Sequence, residues 1–319
     1  MHEFELIKNY FLKLSKNNKF ALNLNDDVFF DKKKGLVVSI DTYIAGEHFI
    51  NFKNPELVIK KVIRSSISDL VCKGVVPKFY FISASGNKKT FSKSNLFKLS
   101  KSLEQEQEKY KIFLCGGDTT FSNKLCFSIT CIGYSKNIIF RNNANLKDDL
   151  YVTGNLGDSF VGLQILKNKI KVNKKIQNYF VSKYYQPDIQ INLANKLLKF
   201  ANSSIDVSDG LIVDLEKMLN MQNLSYQVEE NKIPISKFLS KLIKNKKINK
   251  SEFISNGDDY QVLFSANKNK SRIILNTSKI LGIKISKIGK IISGKKKSTI
   301  IDIKGKQIVL KRKGHVHKF

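Results

Sequence analysis

The chain has 319 residues, 42% hydrophobic and 26% charged, enough apolar material for one large core or two domain-sized ones. With 17 Gly and 4 Pro it is neither disordered nor fibrous, and no run reaches the ~18 apolar residues of a membrane helix. Lys and Arg number 56 against 27 Asp and Glu, a net charge of +29, but the excess is lysine scattered in short pieces such as 32–34 and 295–297. Lys, Asn and Ile are abundant together, as AT-rich coding produces with no nucleic-acid partner, so attraction for small polyphosphates is the firmer inference.

In chain order, the apolar spacing of residues 3–16 predicts an amphipathic helix, charged throughout and unlike a signal peptide. LVVSID (36–41) reads as a buried strand. Asn54 as N-cap and Pro55 in the first turn open a helix whose apolar residues Ile59, Val62, Ile63, Ile67 and Leu70 keep helical spacing, closed by Gly74 and Pro77. A strand at 78–84, a polar helix at 93–109, a buried strand at 111–115, the turn GGDTT and a strand at 125–133 follow. The Asn- and Lys-rich stretch 134–148 is the expected boundary. Beyond it come a strand at 149–154, helices at 157–168 and 188–201, a strand at 203–207 leading to a helix at 209–221, and a strand at 260–265 leading to a helix at 269–281. The expectation is an α+β protein with mixed sheets in two halves, 1–140 and 148–319.

The scarce acids are informative. Glu104, Glu106 and Glu108 are explained by a solvated helix face. The aspartates behave differently: Asp26 and Asp27, Asp41, Asp69, Asp118, Asp206, Asp209, Asp258 and Asp259 nearly all end apolar runs, followed by small or hydroxyl residues. Carboxylates converging at buried strand ends repel one another unless a cation neutralises them. Mg²⁺, which takes oxygen ligands and bridges carboxylates to nucleotide phosphates, suits them. A single Asp at such a place is also an ordinary turn-former or helix cap, most plainly Asp209 before Gly210.

Gly116-Gly117-Asp118-Thr119-Thr120 sets two glycines beside a carboxylate, and TGNLGDS (153–159) is a glycine-bearing turn entering a helix; both suit anions. Neither GxxxxGK[ST] nor a GxSxG elbow occurs. His48 is the one histidine within the body of the chain, with His2, His315 and His317 at the ends. Arg141 is one of few arginines, and its planar fork suits phosphate. The cysteines, Cys72, Cys115, Cys126 and Cys131, form no CxxC and read as reduced core residues of a cytoplasmic protein.

In order, NDDVFF, VSIDTYIAGEHF, SISDLVCKGVVP, CGGDTT, YVTGNLGDS, SSIDVSDGLIVDL and NGDDYQVLF resemble the thiamine-monophosphate kinase family, of the superfamily that includes aminoimidazole ribonucleotide synthetase and selenophosphate synthetase. The likeness covers about residues 24 to 265 and extends weakly to KGHVHKF. It implies transfer of the γ-phosphoryl group of ATP to thiamine monophosphate, with several Mg²⁺ ions and K⁺ as a further candidate ion. It also implies a cytoplasmic homodimer whose N-terminal sheets form a shared barrel near the nucleotide, and a sandwich-like C-terminal α/β domain. The resemblance carries metal ligation to Asp27, Ser39, Asp41, Asp69, Asp118, Asp206 and Asp209. ATP contacts fall to Tyr110, Gly117, Asp118, Arg141 and Ser208, and thiamine phosphate contacts to His48, Asp258 and the C-terminal aromatic position, here His315.

Departures are local. The family's glycine before the first Asp pair is Asn25, its threonine before Asp41 is Ile40, and its glycines after Arg141 are Asn143 and Lys147. Gly-Gly-Glu-Asp-Tyr is Asn256-Gly257-Asp258-Asp259-Tyr260, one methylene short. This last change and His315 bear on substrate affinity more than on phosphoryl transfer, which needs positioned charge rather than covalent catalysis. Two other readings are compatible with the residues: another ATP-dependent synthetase of the superfamily, and a non-catalytic basic nucleic-acid-binding protein.

Overall fold

The computed structural model describes residues 3–246, 249–310 and 313–315. His2, His317 and the end of KGHVHKF lie outside them. Five strands make the first sheet: β1 (Phe29–Asp31), β2 (Leu36–Ile44), β3 (Pro77–Gly86), β4 (Phe113–Phe121) and β5 (Cys126–Tyr134), in the order β1-β2-β5-β3-β4. Only β3 and β4 run parallel, joined by a helical crossover. Six strands make the second: β6 (Asp149–Thr153), β7 (Ala201–Asp206), β8 (Leu224–Glu229), β9 (Val262–Ala266), β10 (Ile285–Ser293) and β11 (Thr299–Ile301), in the order β11-β8-β10-β6-β9-β7. Both sheets are mixed, as expected, and the architecture is α+β. The first sheet is open, so a barrel is no feature of the single chain.

The helices are α1 (Glu3–Leu6), α2 (Pro55–Cys72), α3 (Lys93–Tyr110), α4 (Asp158–Leu166), α5 (Lys174–Tyr185), α6 (Ala194–Leu197), α7 (Leu211–Met218), α8 (Lys237–Lys246), α9 (Lys250–Ile254) and α10 (Ser271–Leu281). Helix α2 is central, and most of its residues are buried. Its apolar side packs on the first sheet, while it also meets β7, β9, α5 and α6. One hydrophobic cluster therefore runs from Val28 through Val62 to Phe264 and Ile274. Pro55 stands at its first turn, where the missing N–H costs nothing. Gly74, at φ +79°, ends it: its N–H bonds the Val71 carbonyl and the Val75 N–H bonds that of Leu70, a left-handed cap that glycine favours. Asn54, expected to cap the start, makes no side-chain bond there, and its carbonyl takes the first helical N–H groups instead.

Several expectations need correction. Residues 3–15 form α1, a π turn and a 3₁₀ turn in succession, and left-handed Lys16 and Asn17 end the run. GGDTT is no turn: it is the second half of β4, paired with β3, and β4 is exposed along its whole length. The helix expected at 188–201 is a 3₁₀ turn followed by α6, and α5 precedes it unpredicted. Cys72 and Cys131 are buried, whereas Cys115 on β4 is exposed and Cys126 half-buried. Glu106 is no solvated acid. It is 2% exposed and holds Arg64 of α2 through two hydrogen bonds of 2.8 and 2.9 Å.

Candidate active site

Three carboxylates meet where α2 passes between the sheets. Residues of β2 alternate, so Val37, Ser39, Asp41 and Tyr43 share the inward face. Asp69 comes from the last turns of α2, and Asp206 ends β7. Removal from water, reinforced by Asp206, pushes the Asp41 carboxyl up to about 7, against a restraining hydrogen bond from Tyr43. Desolvation and then the charges of Asp41 and Asp206 raise Asp69 well above the carboxylate range, and burial raises Asp206, which Ser68 restrains with a short hydrogen bond. Mutually repelling acids of this kind are stabilised by a cation.

Two ionic clusters flank them. Asp26 and Asp27 precede β1, and the buried Lys73 ammonium lies 2.7 Å from Asp26 Oδ1 and 3.0 Å from Asp27 Oδ2. The Lys73 contact with Asp27 is ionic, since Oδ2 has no aligned donor. Arg141 pairs its guanidinium with Asp27 and donates its backbone N–H to Asp26 at 2.9 Å. On the other side Lys217 pairs with Asp209 and lies 3.3 Å from Asp214. Asp209 does not cap α7. The Asp214 carboxylate does, accepting the N–H groups of Asp209 and Gly210 at 2.9 and 3.0 Å.

Ser208 and Asp209 face the NGDDY loop. Asp258 and Tyr260 donate their N–H groups to the carbonyls of Ser208 and Val207, both at 2.8 Å. Approach is so close that a Cβ on Gly257 would stand 1.7 Å from the Ser208 carbonyl oxygen. Asp258 and Tyr260 take left-handed backbone conformations, φ +68° and +49°, strain of the kind that clusters at functional sites. The His315 N–H reaches the Asp209 carbonyl at 2.9 Å, bringing the tail to the same place. Asp258 is paired at 2.7 Å with Lys61, a buried ammonium 4.0 Å from the Tyr184 ring centroid. Tyr184 also donates to the His48 carbonyl at 3.3 Å, and His48 accepts the Ile44 N–H on Nδ1. His48, Asp258, Lys61 and Tyr184 thus form one connected group.

Not every expected residue joins these groups. Asp118 is exposed and accepts the N–H of Thr119. It registers with Ser83, Ser128 and Thr42, one residue out of step with Asp41, which places it on the opposite face of the sheet, while Gly117 lies in the same row as Asp41, three strands away. Tyr110 is buried against Arg64, its ring centroid 5.8 Å from the guanidinium. A cavity of about 320 Å³ opens beside Asp26, lined by Asn17, Lys19, Leu22, Asn23, Phe140 and Asn142.

Oxygen donors suit a hard divalent ion, and the buried Ser39 hydroxyl beside Asp41 makes no hydrogen bond. Among the described residues, however, no three His, Cys, Asp or Glu side chains already stand at metal-cage spacing. The buried oxygens of Asp41, Asp69, Asp206 and Ser39 are the donor set that could hold such an ion.

The family model "AIR synthase related protein, N-terminal domain" matches residues 24–135. A thiamine-monophosphate kinase of Buchnera aphidicola subsp. Schizaphis graminum is 34% identical, with 99% of this chain and 98% of that protein covered. The chain belongs to the thiamine-monophosphate kinase family. A second relative under the same name, from Haemophilus influenzae, is 33% identical over 83% of this chain and 81% of its own length. A solved structure titled "AaThiL complexed with AMPPCP and TMP" superposes with a TM-score of 0.84 at 25% identity, covering 99% of this chain and 97% of that one.

Within this thiamine-monophosphate kinase fold, sequence reasoning passed over Lys61, Lys73, Lys217 and Asp214. Two spacings carried a signal for them. Lys61, Ser65, Asp69 and Lys73 recur at four-residue spacing, one polar stripe along α2 and its C-cap. Lys217 follows Asp214 by three residues, a helical ion-pair spacing.

Proposed function

We propose that the protein transfers the γ-phosphoryl group of ATP to thiamine monophosphate, yielding thiamine diphosphate and ADP, in the cytoplasm. The convergence of Asp41, Asp69 and Asp206 beside the Asp258–His48 group, on this family's fold, carries the reading. The acceptor is a phosphate already ionised near neutrality, so no strong general base is needed. A phosphate oxygen of thiamine monophosphate attacks the γ-phosphorus in line, and the bond to the β–γ bridging oxygen breaks with its electrons leaving on ADP. Mg²⁺, several ions by family resemblance and K⁺ as a further candidate, would neutralise charge on the transferring phosphoryl group.

The chain's own residues position and neutralise. Asp41, Asp69 and Asp206, with the Ser39 hydroxyl, are the proposed metal ligands, and Asp209 approaches an outer ion. Ser208 and Arg141 are proposed to meet the nucleotide, while His48, Asp258 and His315 hold thiamine phosphate. Lys61 fixes the Asp258 carboxylate. Tyr110 reaches the nucleotide only if its buried ring becomes exposed.

A homodimer built on the first sheet is part of the proposal. Edge strand β4 bears Phe113, Leu114 and Phe121 at 59, 45 and 74% exposure, and pairing would cover them. Gly117 and Asp118, remote from the triad within one chain, would act at that paired surface. The boundary between halves 1–140 and 148–319 is placed in the segment joining the two sheets. Nucleic-acid binding forms no part of the function, and among the described residues no helix is long and apolar enough to cross a membrane.

The test is incubation with ATP, Mg²⁺ and thiamine monophosphate, with and without chelator. Thiamine diphosphate and ADP in equal amounts, lost with chelator, are expected. ADP without thiamine diphosphate would transfer the chain to the synthetase reading.

A further inference from the structure

Family resemblance assigns Asp27 to a divalent cation, but its surroundings are already cationic. Lys73 is fully buried at the C-cap of α2. Its ammonium has three donors, and three acceptor groups surround it: Asp26 Oδ1 at 2.7 Å, Asp27 Oδ2 at 3.0 Å and the Ser204 carbonyl at 3.1 Å. Asp26 is otherwise engaged by the N–H groups of Asp27 and Arg141, at 2.8 and 2.9 Å. The other oxygen of Asp27 takes the Arg141 guanidinium. Two carboxylates therefore face two fixed cations, and the group is neutral without any ligand.

We infer that Lys73 is a built-in counter-ion, its ammonium taking the place beside Asp26 and Asp27 that a divalent cation would fill, so that Asp27 is not a metal ligand in this chain. The inference rests on the metal reading above and gives the reason Asp27 stands outside it, leaving Asp41, Asp69, Asp206 and Ser39 as ligands with Asp209 near an outer ion. A Mg²⁺ ligated by Asp27 Oδ2 at about 2.1 Å would lie within about 5 Å of the ammonium, beside two carboxylates already matched by two cations. The lysine side chain is enclosed on every side, 0% exposed. The left-handed cap at Gly74 and the bond from the Ile139 N–H to the Lys73 carbonyl hold its backbone on both sides.

The experiment counts Mn²⁺ bound per chain, without nucleotide, from the electron paramagnetic resonance of free Mn²⁺, using the full-length protein, K73M and D27N. Melting temperatures are recorded in chelator and in Mn²⁺. K73M is expected to bind one more ion than the unsubstituted protein, to melt lower in chelator and to recover in Mn²⁺. D27N is expected to bind the same number of ions as the unsubstituted protein, and this arm decides alone if K73M does not fold. Loss of one ion in D27N would overturn the inference. Equal, non-zero counts in K73M and the unsubstituted protein would overturn it while leaving the metal reading intact. No Mn²⁺ bound to any of the three would overturn both.

Discussion

Replacing Glu106 by Gln isolates the ion pair that ties α2 to α3. Arg64 and Glu106 are 6 and 2% exposed at their side chains, and they share two hydrogen bonds of 2.8 and 2.9 Å. The amide would keep the volume but turn an N–H₂ group toward a guanidinium that has only donors. Removing one partner of a buried pair costs about 3–5 kcal/mol, because the remaining charge stays buried and uncompensated. At roughly 2 cal/mol/K of unfolding entropy per residue, the 319-residue chain should lose about 4–8 °C in Tm. R64M should cost a similar amount. The double variant R64M/E106L removes both charges and should recover to within about 1–2 kcal/mol of the starting protein. Urea denaturation of the parent, R64M, E106L and R64M/E106L closes the cycle, with E106Q measured beside them. Single variants each within about 0.5 kcal/mol of the parent, as for a solvated acid, would refute the reasoning.

Asp69→Asn and Asp206→Asn should each lower turnover in the coupled assay by at least ~10²-fold while leaving the chelated protein as stable as before or more so, since each removes repulsion in the triad. Near-normal kcat at saturating Mg²⁺ in both would sink the metal assignment. Gly257→Ala drives a Cβ to within 1.7 Å of the Ser208 carbonyl oxygen, and should cost about 2 kcal/mol or more together with a raised KM for thiamine monophosphate; an unchanged melt and KM would show that the loop yields freely. Phe113→Lys with Phe121→Lys places charge on exposed β4, and light scattering should then report monomer where the parent is a dimer. A dimer that persists would place the interface elsewhere.

Most strands and α2 were legible in position because apolar runs and the Pro55 and Gly74 punctuation are local signals, but the burial expected of 111–115 fails on exposed β4, and β2 is buried on one face only. GGDTT was not, since consecutive glycines read as a turn unless the partner strand is known, and β4 owes its extended form to its pairing with β3. Glu106 looked solvated because its neighbours Glu104 and Glu108 are exposed, and nothing within its own helix announces Arg64, which lies 42 positions away. In the site, the acids stood out by their rarity. Their lysine partners were masked by a background of 56 basic residues: the helical spacings of Lys61, Lys73 and Lys217 are weak signals there, and their acidic partners are fixed only by distance.

Helix α2 also bears on how the molecule can move. Enclosed by strands on one side and by α5 and α6 on the other, it carries Lys61 and Arg64 and is capped by Lys73, each anchored to a different part of the chain. A rod so tethered cannot pivot without breaking several anchors at once. Any opening that admits nucleotide and releases product must be made by the peripheral loops, leaving this axle still through the whole turnover cycle.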